Sequence, residues 1–130
     1  DAHTGSPNGM GEHEIVIGTH HGKTAAPALV SLARKAFGTR DFSVNENVSG
    51  YAGGQIVRRY TNAAHDNVHA LQIEINTGLL MTTPRSDLIA SMMRGHAPNA
   101  HQDNITRARQ SVAQLITASA QALLSMYDTG

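Results

Sequence analysis

The sequence predicts one α/β domain over residues 1–130, in which helices pack on the faces of a mixed β-sheet. Short β-branched runs bounded by turn residues recur up to residue 76, and helical periodicity replaces them afterwards. The composition, 40% hydrophobic and 15% charged, is typical of a globular chain. A chain of 130 residues buries enough surface for one core, and we find no internal repeat or domain boundary.

The first part of the chain predicts a loop, then strands around one helix. Residues 1–13 are rich in turn-forming residues and predict a loop, and the β-branched run at 14–18 predicts a strand. Thr24 is the predicted cap of a helix that runs to Phe37 and ends at Gly38. The predicted inner face of this helix consists of Leu29, Leu32, Ala33, Ala36 and Phe37. Further strands are predicted at 41–47, 55–61 and 68–76, with a glycine-rich loop at 49–54.

Two helices are predicted in the last third of the chain. Thr83 and Pro84 are a typical helix start, and this helix is expected to reach Gly95. Asp103 or Asn104 is the predicted cap of the longest helix, which extends to about Tyr127. Its apolar stripe, which we interpret as the face toward the core, consists of Ile105, Ala108, Val112, Leu115, Ile116, Ser119, Leu123 and Met126.

Charge and composition exclude several classes of partner. Ten Lys and Arg residues balance ten Asp and Glu residues, whereas a nucleic-acid binder needs clustered positive charge. No apolar run reaches the ~18 residues that a membrane helix requires. The chain has no cysteine, so a metal would be held by carboxylates and by some of its eight histidines. We therefore expect no nucleic-acid or membrane partner. The absence of cysteine fits any compartment, so the cytoplasmic placement that we expect is a default.

The segment GTHHGKT at residues 18–24 comes close to a phosphate-binding loop without being one. That motif needs four residues between its glycines, and this segment has three. No hydrophobic strand ending in Asp is present to hold Mg²⁺. We interpret the segment as a tight turn from a strand to a helix.

The predicted strand at 68–76 carries a carboxylate in its middle. Alternation places Leu71, Ile73 and Ile75 on one face with His69, and Gln72, Glu74 and Asn76 on the other. Either the polar face meets water, as in a half-buried antiparallel strand, or Glu74 has a partner, a metal or a solvent path inside the protein. The pattern leaves both open.

The neighbouring predicted strand, 55–61, carries two arginines that face in opposite directions. Arg58 shares a face with Ile56 and Tyr60, and Arg59 shares the other with Val57 and Thr61. An arginine beside a strand carboxylate forms an ion pair or binds a substrate carboxylate as a bidentate fork. Spacing does not choose between them.

The remaining histidines indicate no metal site by spacing. His65 and His69 are four residues apart, but on a turn and a strand, so they are not the ligand pair that a helix presents. We expect the others to lie at the surface: His13, His20, His21, His96 and His101.

Two segments, GGQIVRRY at 53–60 and VHALQIEIN at 68–76, resemble the N-formylglutamate amidohydrolase family. There a glycine pair precedes an arginine-containing strand, and a strand similar to HALQ-E-N follows. The segment DAHT at 1–4 resembles the family's Asp-x-His motif, and EIVIGT at 14–19, with Gly22, resembles the strand and turn after it. Leu79, Leu80 and Met81 fit the family's continuation, so the resemblance covers most of residues 1–81 in order.

The resemblance implies a phosphorylase/hydrolase-like α/β/α fold, related to zinc carboxypeptidases and aminoacylases. It implies a single zinc and hydrolysis of an N-acyl amino acid such as N-formylglutamate. By the same resemblance His3 is a zinc ligand, and Glu74 is the catalytic carboxylate that activates water. Arg58 would bind the substrate's carboxylate, with Gln72 and Asn76 as further substrate contacts.

The sequence departs from the family in one respect. The family takes two zinc ligands from an earlier His-x-x-Glu segment, whereas His13 and Glu14 here are adjacent. The chain thus resembles the C-terminal part of the family, and an upstream segment or a partner chain would supply those ligands. We expect the isolated chain to be weakly active or inactive. The alternative is a non-catalytic binding or interaction domain on the same scaffold.

Overall fold

The computed structural model describes residues 1–62 and 68–127 and confirms the α/β class with a mixed sheet. The described residues form four strands, five helices and one 3-10 turn. The strands are β1 (Ala2–Gly5), β2 (Ile15–Gly18), β3 (Val44–Glu46) and β4 (Gln72–Asn76). The helices are α1 (Pro7–Met10), α2 (Pro27–Gly38), α3 (Gln55–Arg58), α4 (Arg85–Met93) and α5 (Gln102–Tyr127), and the 3-10 turn is Thr77–Leu79.

The sheet has the strand order β1-β4-β2-β3, which makes β4 an interior strand. Strand β4 runs parallel to β1 and antiparallel to β2, and β2 runs parallel to β3. Glu74 is in register with His3 on one side and with Val16 on the other. Because residues in register point to the same face of a sheet, these three side chains share one face.

The hydrophobic core lies on the opposite face of the sheet, beneath α2 and α5. The sheet contributes Ile15, Ile17, Ile73 and Ile75, α2 contributes Ala33, Ala36 and Phe37, and α5 contributes Ala108 and Leu115. The predicted inner face of α2 is confirmed, since Leu29 and Leu32 pack against this cluster. The predicted faces of β4 are confirmed as well, since Ile73 and Ile75 pack in the core and Glu74 lies on the other face.

The apolar stripe of α5 is buried only in its first half. Ser111 is fully buried beside Ala108, whereas Ile116 and Leu123 are 65% and 49% exposed. The reason is length, because a helix of 26 residues spans about 39 Å while a strand of five residues spans about 17 Å. The sheet therefore ends before the helix does. No helix in the described ranges is long and apolar enough to cross a membrane.

Residues 1–13 are not the predicted loop, because they contain β1 and α1. Strand β1 has no alternating pattern of its own and forms by pairing with β4 from Ala2 to Gly5. Helix α1 begins with Pro7, whose missing N–H costs nothing at a first helical position. Tertiary pairing thus creates a strand that local sequence does not indicate.

The prediction of a strand over 55–61 is wrong, since residues Gln55–Arg58 form the short helix α3. The amide of Arg58 donates to the carbonyl of Gly54 at 3.0 Å, which closes one helical turn. The predicted opposite faces disappear with the strand: Val57 is buried, while Arg58 and Arg59 are both exposed. Apolar runs this short fit a helix or a strand equally well, and the fold decides between them.

Helices α2 and α4 begin later than predicted, because the threonines at their predicted starts form hydrogen bonds with other segments. The Thr24 hydroxyl donates to the Ala70 carbonyl at 2.8 Å instead of capping α2, which begins at Pro27. The Thr83 hydroxyl accepts from the Asn99 amide at 2.8 Å, and α4 begins two residues later. His101 Nδ1 accepts from the Asn104 amide at 3.3 Å, at the start of α5. Strands β3 and β4 are shorter than their predicted ranges, 41–47 and 68–76.

Phe37 is fully buried in the core, so Phe37→Ala is expected to leave a cavity and lower the free energy of unfolding by about 3–5 kcal/mol. Urea denaturation followed by circular dichroism measures this. The control is Met93→Ala on α4, where the side chain is 84% exposed and the change should stay within about 0.5 kcal/mol. A loss below about 1 kcal/mol for Phe37→Ala would contradict the core assignment.

Candidate functional site

The polar face of β4 is buried. Gln72, Glu74 and Asn76 are 7%, 6% and 7% exposed, so the alternative in which this face meets bulk water is wrong. Helix α1 and the loop at 51–54 lie against this face and exclude most solvent. Helix α1 packs closely on β1, because a Cβ atom on Gly5 would collide with the sulfur of Met10. The sequence did not indicate that α1 and the loop at 51–54 cover this face, because both segments were predicted to be loops.

Glu74 is held by a hydrogen-bond chain that leads to the glycine loop. Its Oε1 accepts a hydrogen bond from Gln72 Nε2, and Gln72 Oε1 accepts one from the Gly54 amide. The other carboxylate oxygen, Oε2, accepts none from the described residues and is not among their fully buried unpaired atoms. Glu74 therefore has one oxygen fixed by Gln72 and one that accepts no hydrogen bond from the described residues.

The loop at 51–54 approaches β2 so closely that only glycine fits at Gly18. A Cβ atom there would lie 2.7 Å from the Gly53 nitrogen and 2.8 Å from the Tyr51 oxygen. Gly53 itself has φ 131°, a conformation that residues with side chains rarely adopt. These two glycines bring the Gly54 amide within reach of Gln72.

Three cationic or titratable side chains lie on the other side of this loop: His20, Lys23 and Arg58. We call them the cationic corner. The His20 amide donates to the Ala52 carbonyl at 2.6 Å, and Arg58 Nε donates to the Gly53 carbonyl at 3.0 Å. Burial of the ring, followed by the charges of Lys23, Arg58 and His21, lowers the pKa of His20 from its usual 6.5. The cationic corner and Glu74 thus share one glycine loop.

The segment at 18–24 does not have the arrangement of a phosphate-binding loop. Helix α2 begins at Pro27, three residues after Thr24, and His20 and His21 both adopt left-handed backbone conformations with φ 48° and 56°. Asn47 Oδ1 accepts hydrogen bonds from the amides of Thr19 and His21 and stabilises this turn. The interpretation as a tight strand-to-helix turn is consistent with this geometry.

His3 lies beside Glu74 at the edge of the sheet. Its ring is half exposed, and its Nε2 lies 2.7 Å from Asp1 Oδ1. In residues 1–62 and 68–127 no three His, Cys, Asp or Glu side chains lie close enough together to hold a metal ion. A catalytic zinc needs three protein ligands, so the donor set of the described residues does not fit a complete zinc site.

The structure brings three of the five predicted site residues together on one face and gives the other two different neighbours. Gln72, Glu74 and His3 share one face of the sheet. Arg58 contacts the loop above that face from α3, with its side chain toward solvent. The Asn76 amide group donates to the carbonyls of Gly11 and His13, at 3.1 and 2.9 Å, and accepts from the Gly78 amide. Asn76 as a substrate contact stays a prediction.

Sequence reasoning assigned His20 to the surface and overlooked its neighbours. The structure makes it half-buried and places its Nδ1 3.0 Å from the Thr61 hydroxyl. The only local signal was the run of turn-forming residues around it, which did not indicate a contact 41 residues away. His69 Nδ1 accepts from the Ala26 amide at 3.3 Å, and His65 lies outside the described residues.

The fold and this face define an α/β protein with a buried carboxylate in the central region of a mixed sheet. The family model described as N-formylglutamate amidohydrolase matches residues 1–81. That is more than half of the 130 residues, so the chain belongs to the N-formylglutamate amidohydrolase family, which confirms the resemblance.

One solved structure shows the same fold at low sequence identity. The chain is similar to the crystal structure of N-formylglutamate amidohydrolase from Ralstonia eutropha JMP134, with a TM-score of 0.66 and 20% identity. The match covers 92% of this chain and 41% of that chain, so this chain spans less than half the length of that relative. No curated protein matches the sequence.

Gly18→Ala is expected to displace the loop at 51–54, because the new Cβ atom would meet three backbone atoms within 3.0 Å. The expected cost is about 1–3 kcal/mol in urea denaturation, with a shift of the Gly54 amide signal in NMR spectra.

The matched control is Gly38→Ala at the end of α2, where a Cβ atom meets nothing within 4 Å. There the free energy of unfolding should stay constant or rise by up to about 1 kcal/mol. Equal effects at the two glycines would refute the close approach.

Proposed function

We propose that this chain provides the acid–base and substrate-binding face of an amidohydrolase that acts on an N-acyl amino acid such as N-formylglutamate. The observation that carries the proposal is Glu74, buried on an interior strand with one oxygen held by Gln72 and the other accepting no hydrogen bond from the described residues. A general base needs a rigid mount and a free lone pair within hydrogen-bond reach of water. Membership of the family supports the same assignment.

In this proposal Glu74 moves the proton that amide hydrolysis requires. Its other oxygen, Oε2, takes a proton from the water that attacks the acyl carbon. The carbon–nitrogen bond then breaks, and Glu74 passes the proton to the leaving nitrogen. For N-formylglutamate the products are formate and glutamate. Gln72 keeps the carboxylate in position by its hydrogen bond to Oε1.

Arg58 is the proposed holder of a substrate carboxylate. Its Nε is committed to the Gly53 carbonyl, and its terminal nitrogens donate no hydrogen bond to any described residue. Two terminal N–H groups in a planar fork match a carboxylate in bidentate geometry. Gly53 also adjoins the Gly54 amide that holds Gln72, so one loop connects Arg58 with the residue that fixes Glu74.

The zinc implied by the resemblance is also a proposal, with His3 as the ligand from this chain. The described residues supply no three-ligand cluster, so we propose that an upstream segment or a partner chain provides the other ligands. Asp1, 2.7 Å from the His3 ring, is placed to orient it, as carboxylates do for metal-bound histidines.

Glu74→Gln is expected to abolish hydrolysis and preserve the fold. The amide has the shape of the carboxylate, and its oxygen accepts the Gln72 hydrogen bond, but it cannot take up a proton. Formate release from N-formyl-L-glutamate should be slow in the isolated chain and should fall by about 10²–10⁴-fold in the variant.

The matched control is Glu12→Gln, the same change at an exposed position, which should leave formate release unchanged. Hydrolysis that survives Glu74→Gln would overturn the assignment of the base. Binding of N-formyl-L-glutamate with no formate release under any condition would favour the alternative, a non-catalytic binding domain.

His3→Ala is expected to remove zinc binding by this chain. Calorimetric titration of the unmodified chain with Zn²⁺ should show weak one-to-one binding, because too few ligands are present for a tight site. The control is His96→Ala, at an exposed loop position, which should leave the titration unchanged. An identical isotherm for His3→Ala and the unmodified chain would refute His3 as a ligand.

A further inference from the structure

In the part of the chain that the structure describes, no carboxylate forms an ion pair with Lys23 or Arg58 of the cationic corner. Within residues 1–62 and 68–127, the carboxylate ion pairs involve His3, Arg34 and Arg107 instead. His21 adds to the same potential from the surface of the loop. An arrangement of this kind favours a bound anion.

Hydrogen bonds determine which nitrogen of His20 carries the proton. The Thr61 hydroxyl donates its one hydrogen to the Arg58 carbonyl at 2.7 Å, so it accepts from His20 Nδ1 at 3.0 Å. Neutral His20 therefore has its hydrogen on Nδ1 and a lone pair on Nε2. Nε2 makes no hydrogen bond to the described residues, and on protonation it becomes a donor for an incoming carboxylate.

The position of His20 is built into the fold. Its amide donates to the Ala52 carbonyl, and its backbone lies 3.2 Å from the place where a Cβ atom on Gly53 would stand. The same loop holds Arg58 through the Gly53 carbonyl and Gln72 through the Gly54 amide. One short segment therefore connects His20, Arg58 and the buried carboxylate of Glu74.

We propose that His20 and Lys23, beside Arg58, form a subsite for the second carboxylate of a dicarboxylic substrate. The inference rests on the proposed function for the location of the substrate and extends it to specificity. Arg58 holds one carboxylate, and His20 and Lys23 select an acidic side chain over a neutral one. His20 takes up a proton as the second carboxylate arrives, because a bound anion offsets the neighbouring cations.

This linkage sets the sign of the pH dependence. Burial of the ring, with Lys23, Arg58 and His21 facing it, lowers the pKa of free His20, and a bound carboxylate raises that pKa. Affinity for the fully ionised dicarboxylate should be constant below the free pKa of His20. It should then fall by up to tenfold per pH unit between the free and the bound pKa.

The test uses glutarate and pentanoate, two five-carbon acids that differ by one carboxylate and contain no amide to hydrolyse. NMR titration of the 130-residue chain reports both the dissociation constants and the His20 imidazole signals. We expect glutarate to raise the pKa of His20 and to bind at least about fivefold more tightly than pentanoate at pH 6. Because neither acid is hydrolysed, the outcome is separate from that of the formate assay.

His20→Asn and His21→Asn form a matched pair, since asparagine tolerates the left-handed backbone at both positions. His20→Asn should weaken glutarate binding about fivefold to tenfold and remove its pH dependence, while His21→Asn should change it less than about twofold. Lys23→Gln, at an exposed side chain, should weaken glutarate binding without disturbing the fold.

Two results would overturn the subsite. One is equal affinity for glutarate and pentanoate. The other is an equal effect of His20→Asn and His21→Asn in chains whose amide spectra remain folded. If formate release fails but glutarate binding follows the expected pattern, the subsite stands without the hydrolase; the reverse result would leave the hydrolase with a different carboxylate site.

Discussion

The burial of Glu74 on the interior strand β4 is the constraint on which the rest of the structure depends. A carboxylate with 6% exposure is costly unless polar groups meet it, and here Gln72 meets it from the same strand. Gln72 in turn requires the Gly54 amide, and that requirement places the loop at 51–54 over the sheet. The glycines of β2 and of this loop are consequences of the same contact.

The two faces of the sheet therefore have different roles: one packs the hydrophobic core, and the other carries the candidate site. The lower face packs Ile73 and Ile75 against α2 and α5. The upper face holds Glu74, Gln72 and His3, with the cationic corner at its margin. Because successive residues of β4 point to opposite faces, the packing of the core rigidly positions the candidate base.

Much of this arrangement could be predicted from the residues themselves. The alternation in β4 predicted both of its faces, and the helical period predicted the inner face of α2. Residues 53–60 and 68–76 also led to the correct family. The short helix α3 and strand β1 could not be predicted, because four-residue segments have weak local preferences and take the form that their tertiary partners favour.

The sequence by itself determined the α/β class, the family and the placement of Glu74 and Gln72 on one face, since these follow from periodicity and ordered motifs. Only the tertiary structure decided that this face is buried and that Arg58 belongs to a helix. It also decided that His20 meets Thr61 and lies within the electrostatic influence of Arg58. The physical reason is that burial and charge proximity arise between segments far apart in the chain, such as the 41 residues between His20 and Thr61, where local patterns carry no information.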